Sequence, residues 1–278
     1  MKQGSGSKAR NAKNFGGRPP AGASTRGAVP TQLPHSAIIG QRSAGIDALR
    51  GGALCLMFVY HFAFDLRFYR VIAADFEHDL FWLGLRALIV STFMALVGIS
   101  LVLADRAGAA TTHFYRRIVV IGACALAVSV ASWLLFPHSF IYFGILHCIA
   151  ITSLVAWPLV RRPRTAIVAG CVIVMAGLVL SHPIFDARAF SWIGFATAKP
   201  VTEDYVPLAP WMGVALLGIG IGNALMNGII RMPASLSTAS LRDITPPHWL
   251  QWLGRHSLAV YMIHQPLLLG ALWLAFGH

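Results

Sequence analysis

Charge is scarce in this sequence. Only 12% of its 278 residues are Asp, Glu, Lys or Arg, and 56% are hydrophobic; a water-soluble domain carries about twice that share of charge. Lipid must therefore cover much of the chain. Cysteine is scarce too. Cys55, Cys124, Cys148 and Cys171 all lie inside apolar stretches, and the lack of any CxxC pair or regular spacing argues against a disulfide framework or a zinc site. They read as small buried hydrophobes. Acidic residues are missing from Met1 to Gln41, a stretch rich in Gly, Ala, Ser, Pro and basic residues that also lacks an apolar core. Such a stretch is not a cleaved signal peptide and is expected to be a disordered basic tail. No fixed-period repeat and no matching pair of Gly/Pro-broken segments is present, which weakens an inverted-repeat transporter reading.

What the sequence has is long apolar runs. Seven are long enough to cross a bilayer: Ile46 to Leu66, Leu80 to Leu103, Ile118 to Phe136, Phe140 to Val160, Thr165 to Leu180, Pro207 to Leu225 and His256 to Phe276. The net charge of +12 comes from Lys and Arg lying between these runs, without the basic helix or stacking platform of a nucleic-acid binder. No nucleic acid is expected, and the basic residues read as topology signals and contacts for anionic lipid headgroups. Placing the tail in the cytoplasm puts sixteen of the twenty-two basic residues on that side, with Arg67, Arg70, Arg188 and Lys199 opposite. The expected fold is all-α: a polytopic bundle of about seven transmembrane helices, N-terminus cytoplasmic and His278 outside. Residues 1–43 form the tail and 44–278 the membrane domain.

The first run carries Asp47, Arg50, His61 and Asp65. At about 100° per residue these four project within roughly 60° of one another on a helix. A charge near the bilayer centre costs about 2.5 to 3.5 kcal/mol, so the stripe must face the protein interior or a water-filled cavity. Asp47 also suits a helix N-terminus, Arg50 a snorkelling anchor and Asp65 a wet helix end. The i, i+4 spacing lets Asp65 hydrogen-bond His61 and support its basicity. Arg86 in the second run is expected to pair with Asp65 or Asp79. His147 and His264 lie within the fourth and seventh runs, where a lone His is usually a packing residue; three buried His on three helices point further, to a site. The stretch from His182 to Val206 and the Pro207-Leu208-Ala209-Pro210-Trp211 segment read either as interfacial anchors or as an outer mouth where Glu203, Asp204 and Trp211 meet a polar substrate.

These motifs resemble a known family. Arg42-Ser43-Ala44-Gly45-Ile46-Asp47-Ala48-Leu49-Arg50-Gly51, Tyr60-His61-Phe62 and Phe64-Asp65-Leu66 look like the opening of the bacterial heparan-α-glucosaminide N-acetyltransferase-like membrane proteins. Ser91-Thr92-Phe93, Val97-Gly98-Ile99-Ser100, Phe143-Gly144-Ile145-Leu146-His147, Asp204-Tyr205, and Leu253-Gly254-Arg255-His256-Ser257-Leu258 through Tyr261 and His264-Gln265-Pro266 continue the match in order. The spacing of Arg50 and His61 is also similar to that in the wider membrane acyltransferases of cell-surface glycans. The lysosomal branch has Asn where His61 aligns, and its active-site His falls in a segment aligning near His78.

The resemblance implies a multi-pass protein of the cell inner membrane that takes acetyl from cytoplasmic acetyl-CoA and passes it to an amino sugar or glycan hydroxyl on the far side. Arg50 with Asp47 and Arg255 would serve the CoA phosphates. His61, oriented by Asp65, would act as general base or carry the acetyl group itself, and His147 and His264 would donate to the thioester oxygen. The oligomeric state is left open. Two rivals use the same residues: a proton-coupled transporter or flippase, and a b-type cytochrome with His-ligated haem.

Overall fold

The computed structural model describes residues 35–229 and 246–276, with side chains from Ala44 onward. Most of the expected tail, Arg231, Arg242 and His278 lie outside the described residues. Among these the chain is all-helical, in nine α-helices: α1 His35–Phe68, α2 Leu80–Arg106, α3 Thr111–Leu135, α4 Ile145–Ala156, α5 Pro163–Val179, α6 Arg188–Ser191, α7 Leu208–Met226, α8 His248–Arg255 and α9 Ser257–Phe276. Short 3₁₀ turns follow α4 and precede α6. Five segments are long and apolar enough to span a membrane, namely Ala44–Phe68 of α1 together with α2, α3, α7 and α9. The protein is a multi-pass membrane protein. Ile145–Leu159 and α5 are apolar but shorter.

The fourth apolar run turns helical later than its hydropathy suggests. Phe140 to Gly144 stay extended, because the Ile141 N–H donates to Ser132 Oγ (2.9 Å) and the Ile145 N–H to Asp204 Oδ2 (2.9 Å). A carboxylate at that point also suits the positive end of α4. At the other extreme, α1 begins at His35, within the stretch read as tail.

α7 is the central helix, lying between α2 and α5. In lipid there is little hydrophobic force between helices, so close approach through small residues matters. A Cβ on Gly98 of α2 would overlap the Ala215 carbonyl of α7, and one on Gly218 would overlap the Ala95 carbonyl. Around this seam sits the core, with Val97, Leu101, Val102, Leu216 and Ile219 fully enclosed.

Polar contacts sort the connecting segments into two ends. Arg161 bridges to Asp105 (2.8 Å), Arg106 donates to Asn227 (3.1 Å) and Arg255 reaches Asp47 (3.5 Å), joining the segments richest in arginine. At the opposite end Lys199 meets Glu77 (3.6 Å), Arg188 donates to the His138 carbonyl (3.1 Å) and Ser139 donates to Glu203.

Candidate active site

α8 is an unexpected element, and it builds half of the arginine-rich end. It lies along α1 at backbone contact: a Cβ on Gly51 would strike the Leu250 carbonyl, and one on Gly254 the Asp47 carbonyl. This approach sets Arg255 beside Asp47, whose carboxylate also holds Arg50 at 3.1 Å. Arg50 donates further to Ser100 Oγ on α2 (2.8 Å) and to the Gly254 carbonyl (3.4 Å). Asp47 thus acts as a brace between two guanidinium groups.

Beyond that brace opens a cavity of about 470 Å³. Its polar lining is dominated by the guanidinium groups of Arg50, Arg116, Arg117 and Arg255, joined by His113, Ser257 and Tyr261, and among the described residues no carboxylate lines it. Arg116 and Arg117, which read as topology signals, line this cavity together with His113. A signal was available: positions 113, 116 and 117 are spaced i, i+3, i+4 at the start of α3, which gathers them on one helix face.

At the opposite end lies a larger cavity of about 890 Å³, of mixed charge, where His61, Arg86, Glu77, Glu203, Asp204 and Lys199 contribute polar groups. Arg86 reaches the Tyr205 carbonyl at 2.6 Å rather than pairing with Asp65 or Asp79. Burial raises the Asp204 carboxyl above the usual aspartate range, against the pull of the Ile145 N–H, Arg86 and Lys199. The adjacent Tyr205 phenol is pushed up to about 12, first by burial. At the rim, the Glu77 and His78 N–H groups hold Asp75 below its ordinary value, and His78 Nδ1 lies 3.0 Å from its carboxylate. His78 lines this cavity as well.

The four stripe residues of α1 all meet inward partners. Asp65 is 2% exposed, and its oxygens accept from Gln265 Nε2 of α9 at 3.0 and 3.2 Å. That amide, 200 residues away in sequence, takes the place expected for His61; among the described residues neither His61 ring nitrogen has a hydrogen-bond partner. His61 instead meets the His264 ring edge-on, with centroids 5.1 Å apart.

His264 is 6% exposed and its Nδ1 is bonded to the Tyr261 carbonyl. A carbonyl can only accept, so Nδ1 carries the proton and a neutral ring presents a lone pair at Nε2. That Nε2 is buried without a partner, as is Gln265 Oε1. In its neutral form His264 thus offers an acceptor at Nε2, and it donates there only when the ring is protonated.

The structure does not bring His147 or Trp211 to either cavity. His147 accepts from the Gly144 N–H (3.3 Å), lies 3.3 Å from Ser129 Oγ of α3 and stacks on Phe143, holding the start of α4 against α3. Trp211 packs in the core beside Val206 and Ala215. Glu203 and Asp204 do line the second cavity.

A helical membrane bundle with an arginine-lined cavity at one end and a mixed-charge cavity at the other places the chain among multi-pass membrane proteins with polar cavities at both ends. The family follows from comparison of the chain with known proteins. Residues 42–266 match the family model for heparan-alpha-glucosaminide N-acetyltransferase, catalytic, and the chain belongs to that family. It is accordingly a membrane acetyltransferase that uses acetyl-CoA. Neither curated proteins nor solved structures gave a significant match.

Proposed function

We propose that this enzyme transfers acetyl across the bilayer, taking acetyl-CoA into the arginine-rich cavity from the cytoplasm and delivering the acetyl group to an amino sugar or glycan hydroxyl in the mixed-charge cavity. The observation that carries this reading is the pair of cavities, one lined by four arginines with no carboxylate among the described residues and the other containing His61 beside carboxylates. In this arrangement the seven apolar helices all span, residues 1–43 are a cytoplasmic tail and 44–278 are the catalytic membrane domain.

The cationic cavity suits CoA by chemistry. Guanidinium groups bind phosphate with paired donors, and Arg50, Arg116, Arg117 and Arg255 supply four of them around one space. Asp47 keeps Arg50 and Arg255 aimed without lining the cavity itself. At the opposite end Glu203 and Asp204 attract an amino sugar's ammonium group, and their position beside Arg86 and Lys199 suits a ligand bearing many hydroxyls.

His61 is the group that moves the proton. Its ring faces the acceptor cavity and stands free of hydrogen bonds among the described residues. An imidazole is the side chain best matched to accepting and returning a proton near neutrality. The His264 lone pair at its edge can take up an N–H of His61, fixing the tautomer whose other nitrogen faces the acceptor. Direct attack by the acceptor and passage through an acetylated His61 both use this geometry. Asp65 holds Gln265 and so sets how α9 meets α1.

The test is incubation of the purified full-length protein with labelled acetyl-CoA and glucosamine as the acceptor probe. Label should appear on the sugar. His61→Ala should lower the rate by about 100-fold or more, the usual worth of a general base, with CoA binding retained. Near-normal transfer by His61→Ala would remove His61 from the mechanism, with His78 as the next residue to vary.

A further inference from the structure

Resting on the transfer reading above, we propose that the Tyr261 hydroxyl donates the hydrogen bond that receives the acetyl carbonyl oxygen where the two cavities meet. Three residues line both cavities: Phe93 of α2, Ile145 of α4 and Tyr261 of α9. They form the wall between them. An acetyl group whose CoA phosphates rest in the cationic cavity meets an acceptor held beside His61 at this wall. Of its three members, only Tyr261 has a polar side-chain atom.

A tyrosine set among apolar side chains ordinarily finds a partner for its hydroxyl. Among the described residues the Tyr261 hydroxyl makes no hydrogen bond, although its ring is held from several sides. It packs against three core clusters, one containing Met94 and Phe143, one containing Leu54 and Met57, and one containing Ile121 and Leu146. The His264 ring lies 5.2 Å away, and the Tyr261 carbonyl is already engaged by His264 Nδ1. The ring is fixed and the donor is free. A fixed donor at the reacting carbonyl is worth most when negative charge develops on that oxygen, because nothing has to reorganise.

The step balances as follows. The acceptor nitrogen or oxygen forms a bond to the acetyl carbon, and the bond from that carbon to sulfur breaks. The electron pair leaves with sulfur as the CoA thiolate, and the acceptor's proton goes to His61. Tyr261 keeps its own proton throughout and only shares it with the carbonyl oxygen. The free hydroxyl and the free His61 nitrogens thereby divide the work, one serving the electrophile and the other the nucleophile.

The experiment compares Tyr261→Phe with the unaltered full-length enzyme, using acetyl-CoA and glucosamine, alongside CoA binding by calorimetry. Phe keeps the ring and its packing and removes only the donor. Loss of one such donor should lower kcat by about 100-fold while the KM for acetyl-CoA and the affinity for CoA stay within about threefold, because the bond matters in the transition state. A kcat within about threefold of the unaltered enzyme would overturn the role. Loss of CoA binding in step with kcat would overturn it too, by showing that the hydroxyl supports donor binding or the fold. If the unaltered enzyme moves no label, the transfer reading itself falls; if it does and Tyr261→Phe matches it, only this inference falls.

Discussion

At the residue scale, Asp204 holds two positions at once. Its carboxylate accepts from the Ile145 N–H at the start of α4 and lines the mixed-charge cavity. Burial raises its pKa, with the Ile145 N–H, Arg86 and Lys199 opposing. A carboxyl whose folded-state value is raised binds its proton more tightly than in the unfolded chain. It therefore adds stability below the ordinary aspartate range, and that contribution is lost as pH rises through the raised value. For ligand binding the sign is the reverse, because an ammonium group needs the charged carboxylate. Affinity for glucosamine should fall on acidification, with a midpoint above the ordinary aspartate value of about 3.9, and Asp204→Asn should flatten that part of the profile. Calorimetric titration of the sugar against pH measures it. A midpoint at or below the ordinary value, or an unchanged profile in the variant, would separate Asp204 from acceptor binding.

At the element scale, the contact of α1 with α8 shapes the arginine-rich cavity. Gly51 and Gly254 permit backbone contact, and that contact places Arg255 against Asp47 and Arg50. Gly254→Val would drive a branched side chain into the Asp47 carbonyl. Overpacking of this kind costs about 1 to 3 kcal/mol, and here the strain falls on the brace between the two arginines. The expected outcome is weaker CoA binding by about tenfold or more, since a charged hydrogen bond contributes about 1.5 to 3 kcal/mol, with a smaller effect on glucosamine affinity at the other end. Paired titrations of the two ligands distinguish this from general unfolding; equal losses at both ends would mean that the glycine serves the whole bundle.

Much of this was legible in the sequence, and the exceptions have physical causes. Each of the seven apolar runs overlaps one apolar helix, because length and carbon content decide what dissolves in lipid, but hydropathy missed the helix starts where polar residues carry the first turns, as at His35 of α1 and Thr111 of α3. It could not find α8, whose eight residues mix exposed Trp249 and Trp252 with buried Gln251 and Gly254. The inward stripe on α1 followed from helical angles. Its pairing did not: the nearest partner in sequence for Asp65 is His61, but the third dimension supplied Gln265. Likewise Arg116 and Arg117 satisfy a topology rule, and only their i, i+3, i+4 spacing with His113 hints that they share a cavity.

At the scale of the whole molecule, the two ends carry different chemistry, and transfer across a bilayer requires them to face different compartments. The segments that meet at the arginine-rich end include Asp105, Arg106, Arg161 and Arg255, and positive charge is retained in the cytoplasm during insertion. The opposite end gathers Glu77, Glu203 and Asp204. If the tail is inside and all seven apolar segments span, as proposed, a reporter fused after His278 should be active only beyond the cytoplasmic membrane. Single cysteines sharpen the test in a background lacking the four native ones. One at Arg116 should react with an impermeant thiol reagent only when the cytoplasmic side is opened, and saturating CoA should protect it. One at Lys199 should react in intact cells, with protection by glucosamine and none by CoA. Reaction of both from the same side would mean that the cavities open to one compartment, and the enzyme would then be an acetyltransferase seated in the membrane without moving the acetyl group across it.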